Sequence, residues 1–184
     1  MQFMSRRLLK EWSTRPLRTA IDDLESFSWI LLWIALHLSN RRTDLENDWL
    51  SSLSSDDIKT VAHCKSEILY SATADEFDNL EAFSSYLSTV IPLLRGWWKV
   101  ASDAGKALRK LIDRHSSGKQ GVDDVLHDDA LRGGFYKELE ELCLSYYVRY
   151  IKLGTEFLEK EKFYGRLSSP PRSRLFSTEI SRRN

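Results

Sequence analysis

The stretch at residues 22–36, DDLESFSWILLWIAL, constrains the fold more than any other part of the sequence. Eight apolar residues run without a break from Trp29 to Leu36, and two aspartates open the stretch. A helix that is apolar on every side is typically buried on every side. A bilayer span needs about 20 apolar residues, and this shorter run is interrupted by Ser28 and His37, so it predicts a core helix and no membrane insertion.

The start of this helix carries its own signals. Asp22 is predicted as the N-cap, and Glu25, three residues later, has the spacing of a capping box. Acids in the first turn also suit the positive end of the helix dipole. We expect a buried central helix over about residues 22–39.

Charge is distributed unevenly although the formal net charge is zero. Residues 1–18 carry five basic residues against Glu11, a net +4, and residues 166–184 carry five arginines against Glu179, again +4. The middle of the chain is therefore −8. An acidic body between basic ends is not typical of a nucleic-acid binder, so we expect no nucleic-acid partner.

The cysteines and histidines do not form a recognisable metal-binding or disulfide motif. The two cysteines, Cys64 and Cys143, form no CxxC, which favours a reducing, intracellular compartment, cytoplasmic or nuclear. No apolar signal-peptide region follows the basic N-terminus. His63-Cys64 and His127-Asp128-Asp129 lack the spacing of a zinc site, and each cysteine is predicted to be a buried, inert thiol.

Further helices follow from apolar residues at spacings of three and four. A short helix or turn is expected at residues 5–13, and residues 40–55 are expected to form a loop anchored by Trp49 and Leu50. A helix is predicted at 56–70, with Ser55 as its cap. Another is predicted from about Ala74 to Pro92, where it kinks or ends, and helix resumes through Trp97 and Trp98 to His115. A short helical piece is predicted at 123–131, and the last helix at 135–163, after a break at Gly133-Gly134. No strand pattern appears, so the predicted fold is all-α.

The C-terminal residues 166–184, RLSSPPRSRLFSTEISRRN, are rich in Ser, Pro and Arg and predict a disordered tail. Ser169-Pro170 and Arg174-x-x-Ser177 have the spacing of short phosphorylation motifs, although a solvated tail without a regulatory role explains them better. The predicted domains are therefore a helical body over 1–165 and a tail over 166–184.

The segment D-L-E-S-F-S-W-I-L-L-W, Asp23 to Trp33, resembles the start of the central helix of a protein kinase C-lobe. The usual pattern is Asp, two residues, Ser, an aromatic, Gly and an apolar run. Ser28 stands where that Gly is usual. The run D-D-L-E-S-F with a Trp-bearing helix is similar above all to the fungal-type protein kinase family.

Residues 2–9, QFMSRRLL, resemble the end of a kinase activation segment, G-T-x-x-[YF]-M-A-P-E-x-L. Phe3 and Met4 match the aromatic residue and the Met, Ser5 matches the Ala, and Leu9 matches the final Leu. Arg6 and Arg7 depart from the family, because they occupy the Pro-Glu positions. The resemblance is specific over about residues 2–38 and only architectural beyond them.

The resemblance implies a part of a kinase C-lobe, from the end of the activation segment onward. In the family the first Asp of the central helix braces the catalytic loop, and that role falls by resemblance to Asp23, with Asp22 as a cap only. The family's ATP- and Mg-binding motifs and catalytic residues have no match in this sequence. We therefore expect no catalytic, cofactor-binding or metal-binding residue here, and a chain that is inactive alone.

Two functional hypotheses remain open, beside a chance match of a short motif in an unrelated helical protein. One is a fragment of a fungal-type serine/threonine protein kinase that needs its missing N-terminal part. The other is a non-catalytic helical adaptor, a pseudokinase-like module that binds a protein partner. Either way, surface around Asp23 and the N-terminal segment is expected to be exposed and to promote self-association.

Overall fold

The computed structural model describes residues 3–10, 18–73, 83–115 and 129–163, and at 73, 129–132 and 161–163 it describes the backbone only. Helices in these ranges are α1 Arg6–Lys10, α2 Ala20–Leu38, α3 Asp44–Leu53, α4 Ile58–Thr73, α5 Ser85–His115 and α6 Asp129–Phe163. None of the described residues belongs to a strand. The prediction of an all-α fold is confirmed.

Helices α2, α5 and α6 form the body of the molecule. The N-terminal half of α2 packs with the C-terminal half of α5 and with α6, around Leu24, Leu108 and Phe135. The C-terminal half of α2 packs with the N-terminal half of α5 and with α3 and α4, around Trp29, Ile68 and Leu94. Helices α2 and α5 are therefore antiparallel, and each contributes to both apolar clusters.

Residues 40–55 are not the predicted loop, because most of them form α3. Thr43 and Glu46 make a capping box: the Thr43 N–H donates to Glu46 Oε2 at 3.0 Å, and the Glu46 N–H donates to Thr43 Oγ1 at 3.3 Å. Trp49 is buried and Leu50 packs against the core, so the predicted anchors are confirmed.

The carboxylate of Glu46 also joins α3 to the start of α5. It is fully buried, and its Oε1 accepts from the Ser84 N–H at 2.8 Å and from the Ser84 hydroxyl at 2.7 Å. Ser84 directly precedes α5. One buried acid therefore satisfies backbone donors at two helix starts, groups that would otherwise be costly to bury.

Helix α4 begins at Ile58 and extends to Thr73, beyond the predicted end at residue 70. Ser55 is not its cap. The Asp57 carboxylate accepts from the N–H groups of Lys59 and Thr60, and hydrogen bonds from Thr60 and Lys59 lower the pKa of Asp57.

Helix α5 runs through Pro92, which is exposed, so of the predicted kink or end at Pro92 the helix end is wrong. The predicted break at Gly133-Gly134 is also wrong, because α6 runs through both glycines. A Cβ added to either glycine would meet no atom within 4 Å, so neither residue is required for a close contact. Burial of Phe135 next to them favours the continued helix.

Several predictions fall outside the described residues. These are the helix start near Ala74, the loop at 116–122, most of the piece at 123–131, and the tail at 166–184 with its Ser169 and Ser177 motifs.

Candidate functional site at the junction of α1, α2 and α4

Asp22 links the N-terminal segment to α2. Its carboxylate accepts from the Ser5 hydroxyl at 2.8 Å, from Arg7 Nε at 3.1 Å and from the Thr19 N–H at 2.9 Å. Asp22 and Ser5 are both buried. An ionised carboxylate in such a place is stable only when hydrogen bonds and a cation compensate its lost hydration, and all three donors do so.

The predicted cap of α2 is therefore wrong. Thr19 is the N-cap, and Asp22 is the third residue of the helix, where it closes a capping box with Thr19. Glu25 is not part of that box. It accepts from the Arg6 N–H at 2.9 Å, from Arg6 Nε at 3.0 Å and from the Trp29 indole N–H at 3.1 Å. Both acids hold α1 against α2 instead of serving α2 alone.

Lys65 of α4 completes the junction from the other side. Its side chain is fully buried, and its ammonium donates to the Met4 carbonyl at 2.5 Å and lies 4.8 Å from the centre of the Trp29 ring. Burial lowers the pKa of Lys65 to about 7, while the nearby Glu25 opposes that shift. No motif in the sequence marks a buried lysine head group.

The matched activation-segment residues all lie at this junction. Phe3 contacts Trp33 edge to face with ring centroids 5.8 Å apart, Met4 binds Lys65 through its carbonyl, Ser5 binds Asp22, and Leu9 is buried. Sequence reasoning thus selected residues that share one site. It missed Arg7, Thr19 and Lys65 as their partners.

Asp23 lies apart from this network. Its side chain is exposed and forms no hydrogen bond or ion pair with the described residues. Burial raises the pKa of Tyr147 on α6, and the negative charge of Asp23 raises it further. The Asp23 and Tyr147 side chains are therefore neighbours.

An uncovered face of α2 continues from Asp23. Phe27, Ile34 and Leu38 are 48%, 41% and 51% exposed, and they follow Asp23 at spacings that place them along one side of the helix. The expectation that α2 is buried on every side is therefore wrong. Trp29, Leu32 and Leu36 are buried on the opposite side. The apolar run of α2 thus has one face packed in the core and one face exposed to solvent.

Ser28 is buried and links α2 to α6 through its hydroxyl. Its hydroxyl donates to the Leu24 carbonyl at 3.1 Å, and its oxygen lies 3.0 Å from the Tyr150 hydroxyl of α6. Because Ser28 has one hydroxyl hydrogen, Tyr150 is the donor to Ser28. Burial raises the pKa of Tyr150 well above its usual value. Trp97 of α5 stacks on the Tyr150 ring and donates to its carbonyl at 3.0 Å.

The remaining chemical candidates give no catalytic arrangement. Burial raises the pKa of Cys64 to about 11, and burial also raises that of Cys143, so neither is an activated thiol. His63 pairs at 3.2 Å with Glu67, and both are exposed. In the described parts of the chain, no group of three or more His, Cys, Asp or Glu residues is arranged to hold a metal. His127 and Asp128 lie outside those parts.

Within the described ranges, no helix combines the length and hydropathy required to cross a bilayer. Comparisons with models of protein families, with curated proteins and with solved structures find no match to this chain.

Proposed function

We propose that this chain forms the helical C-terminal half of a protein-kinase-like domain of the fungal type. It acts as the scaffold against which an ATP- and Mg-binding part packs. The observation that carries the proposal is the contact of Phe3, Met4 and Ser5 with Trp33, Lys65 and Asp22. Residues that resemble the end of an activation segment thereby contact the helix that resembles the central helix, through Asp22 and Trp33, and the neighbouring helix α4, through Lys65.

The charge pattern at Arg6 and Arg7 is compatible with this assignment. In the family a Glu at the position of Arg7 pairs with an Arg elsewhere in the C-lobe. Here Arg7 pairs with Asp22 and Arg6 pairs with Glu25. An ion pair of reversed polarity thus anchors the same segment, and both acids come from α2.

The uncovered face of α2 gives the docking position. The exposed Asp23 carboxylate accepts backbone N–H groups of a catalytic loop, as the family resemblance implies. Phe27 and Ile34 bury their exposed apolar surface against the part that carries this loop. In this proposal the chain contributes positioning, and the docked part contributes ATP, Mg and the catalytic groups.

Split-domain complementation tests the proposal. The chain is co-expressed with the part of a fungal-type protein kinase that runs from the Gly-rich loop through D-F-G. We expect the two parts to co-purify and to transfer ³²P from ATP to a generic Ser/Thr substrate, and neither part to do so alone. Asp23→Ala in this chain is expected to lower transfer without preventing co-purification.

The matched control is Asp48→Ala, which removes another exposed acid, from α3, and should leave transfer unchanged. If the parts fail to associate, or if transfer is indifferent to Asp23, the kinase proposal is rejected.

A second candidate is a non-catalytic protein-binding module, the adaptor alternative. One observation favours it: α6 carries a second row of exposed apolar side chains, Leu144, Val148, Ile151 and Leu158. Sequencing the transcript upstream of the Met1 codon separates the candidates. An in-frame H-R-D-like loop followed by D-F-G supports the kinase domain, and a stop codon supports the module.

A further inference from the structure

A basic trough runs along α5, on a different surface from Asp23. Its wider part is a cavity of about 710 Å³ between α4 and α5. Four cationic residues line it, Arg6, Arg95, Lys99 and Lys106, against one carboxylate, Asp103. The volume falls within the range of pockets that bind small ligands or short peptide segments.

The spacing of polar residues on α5 makes the trough continuous. Arg95, Lys99, Ser102, Lys106 and Arg109 follow one another at intervals of four, three, four and three, so they share one face of the helix. A narrower cavity of about 180 Å³ shares Arg6 and Ser102 with the first and adds Lys10 and Arg109. At 1.5 Å per residue, the row from Arg95 to Arg109 is about 21 Å long.

The acids that line the trough neutralise only part of its charge. Glu25 pairs with Arg6 at 3.0 Å and offsets that arginine, and Asp103 lies 3.9 Å from both Lys106 and Arg149. Ion pairs as long and as exposed as those of Asp103 are weak and compete poorly with a ligand. Lys99 and Arg109 are exposed and form no ion pair with the described residues. Among the described residues that line the trough, cationic side chains therefore outnumber carboxylates.

The floor of the trough favours a peptide over a nucleic acid. Leu69, Ala72 and Trp98 line the wider cavity and are buried, so they offer an apolar base beneath a cationic rim. Channels for single-stranded nucleic acid present successive exposed aromatic faces for base stacking. Tyr70 is exposed here, whereas Trp98 is 3% exposed and lacks a free face.

We propose that this trough binds a phosphorylated peptide segment, with the phosphate between Lys99 and Lys106, which lie two helical turns apart on one face of α5. A phosphate group carries about twice the charge of a carboxylate and accepts several hydrogen bonds at once. Two lysine side chains on the same helix face match that demand. Residues of the segment beyond the phosphate extend along α5 toward Arg109. This site is independent of the kinase proposal, because Lys99 and Lys106 take no part in that proposal.

Fluorescence anisotropy of the purified full chain tests the site. The probes are a labelled ten-residue peptide with one central phosphoserine, the same peptide with Ser, the same peptide with Glu, and a single-stranded DNA decamer. We expect the phosphopeptide to bind at least about tenfold more tightly than the Ser and Glu peptides, with an affinity that falls as salt rises.

The variant Lys99→Glu/Lys106→Glu reverses two exposed charges of the trough and is expected to weaken phosphopeptide binding by about tenfold or more. The matched control, Lys59→Glu/Lys137→Glu, makes the same change of net charge at exposed positions outside it and should bind normally. Circular dichroism checks that both variants fold. Equal binding of the Ser or Glu peptide, tighter binding of the DNA, or equal losses in both variants would overturn the proposal.

Discussion

Arg7 donates two hydrogen bonds to the carboxylate of Asp22, from Nε to Oδ1 at 3.1 Å and from Nη2 to Oδ2 at 2.5 Å. The same carboxylate accepts from Ser5 and Thr19. One side chain thus connects the N-terminal segment, the N-cap of α2 and α2 itself. A paired, fully hydrogen-bonded charge of this kind specifies one arrangement of the segment.

Replacement of Asp22 by Asn should be strongly destabilising. It removes the negative charge that Asp22 presents to Arg7 and an acceptor from buried donors, at a cost of about 2–4 kcal/mol in the free energy of unfolding. Urea denaturation followed by circular dichroism measures this cost. Asp23→Asn is the adjacent control and should change stability by less than about 0.5 kcal/mol, since the Asp23 side chain is exposed. Equal effects of the two substitutions would contradict the assigned role of Asp22.

Ser28 and Tyr150 should be energetically coupled. Ser28→Ala leaves the buried Tyr150 hydroxyl without its acceptor, and Tyr150→Phe removes that hydroxyl. A double-mutant cycle of unfolding free energies is expected to give a coupling of about 0.5–1.5 kcal/mol. Additive effects would show that the contact contributes nothing to the packing of α6 on α2.

Glu46 should be the most sensitive position of α3. Glu46→Ala removes the acceptor shared by Thr43 and Ser84 and leaves a cavity, so we expect a loss of about 2–4 kcal/mol. Thermal and urea denaturation provide the measurement. Asp48→Ala in the same helix alters an exposed acid and serves as the control. A loss no larger than that of the control would show that the α3–α5 link is dispensable.

Lys65 should make the free energy of unfolding depend on pH. Its pKa is about 7 in the folded chain, against 10.5 as the ordinary value. Between pH 7 and 9 the unfolded state binds more protons at this residue, so its contribution to stability rises with pH, by at most about 1.4 kcal/mol per unit.

Lys65→Met removes this dependence, whereas the exposed Lys59→Met keeps it. Urea denaturation at several pH values within the window compares the slopes. The explanation fails if the wild-type slope persists in Lys65→Met.

The uncovered face of α2 should promote self-association of the isolated chain. Phe27→Lys/Ile34→Lys places charge on this face and is expected to give a monomer by light scattering at concentrations where the wild type associates. Leu45→Lys, a comparably exposed apolar position on α3, is the control. A wild type that stays monomeric at moderate concentration would oppose this prediction.

Much of the helical layout was predictable from the sequence. The apolar spacing in α5 and α6 predicted helices whose residues, such as Leu108 and Leu139, are buried. Helix α3 was missed because its composition is polar, although Thr43-x-x-Glu46 was a usable capping-box signal. A helix end at Pro92 and a break at Gly133-Gly134 do not occur, because local propensity is a weak preference that packing of the surrounding helix overrides.

The site was only partly predictable. The resemblance selected Phe3, Met4 and Ser5, which do lie together, but assigned Asp22 the role of a simple cap. Its actual partners come from positions 3 to 17 residues away, and pairing at such distances leaves no periodic signal in the sequence. Lys65 is the extreme case, since it contacts a carbonyl 61 residues distant.

The sequence by itself determined the all-α class, the position of the apolar helix and most of the residues that fill the core. Local spacing is enough for this, because helical periodicity and burial of apolar surface act through near neighbours. Only the tertiary structure decided which face of α2 is covered, which acid is buried and which lysine side chain is removed from solvent. Those outcomes depend on how distant helices meet, and the free energy of a charge is set by the groups that surround it after folding.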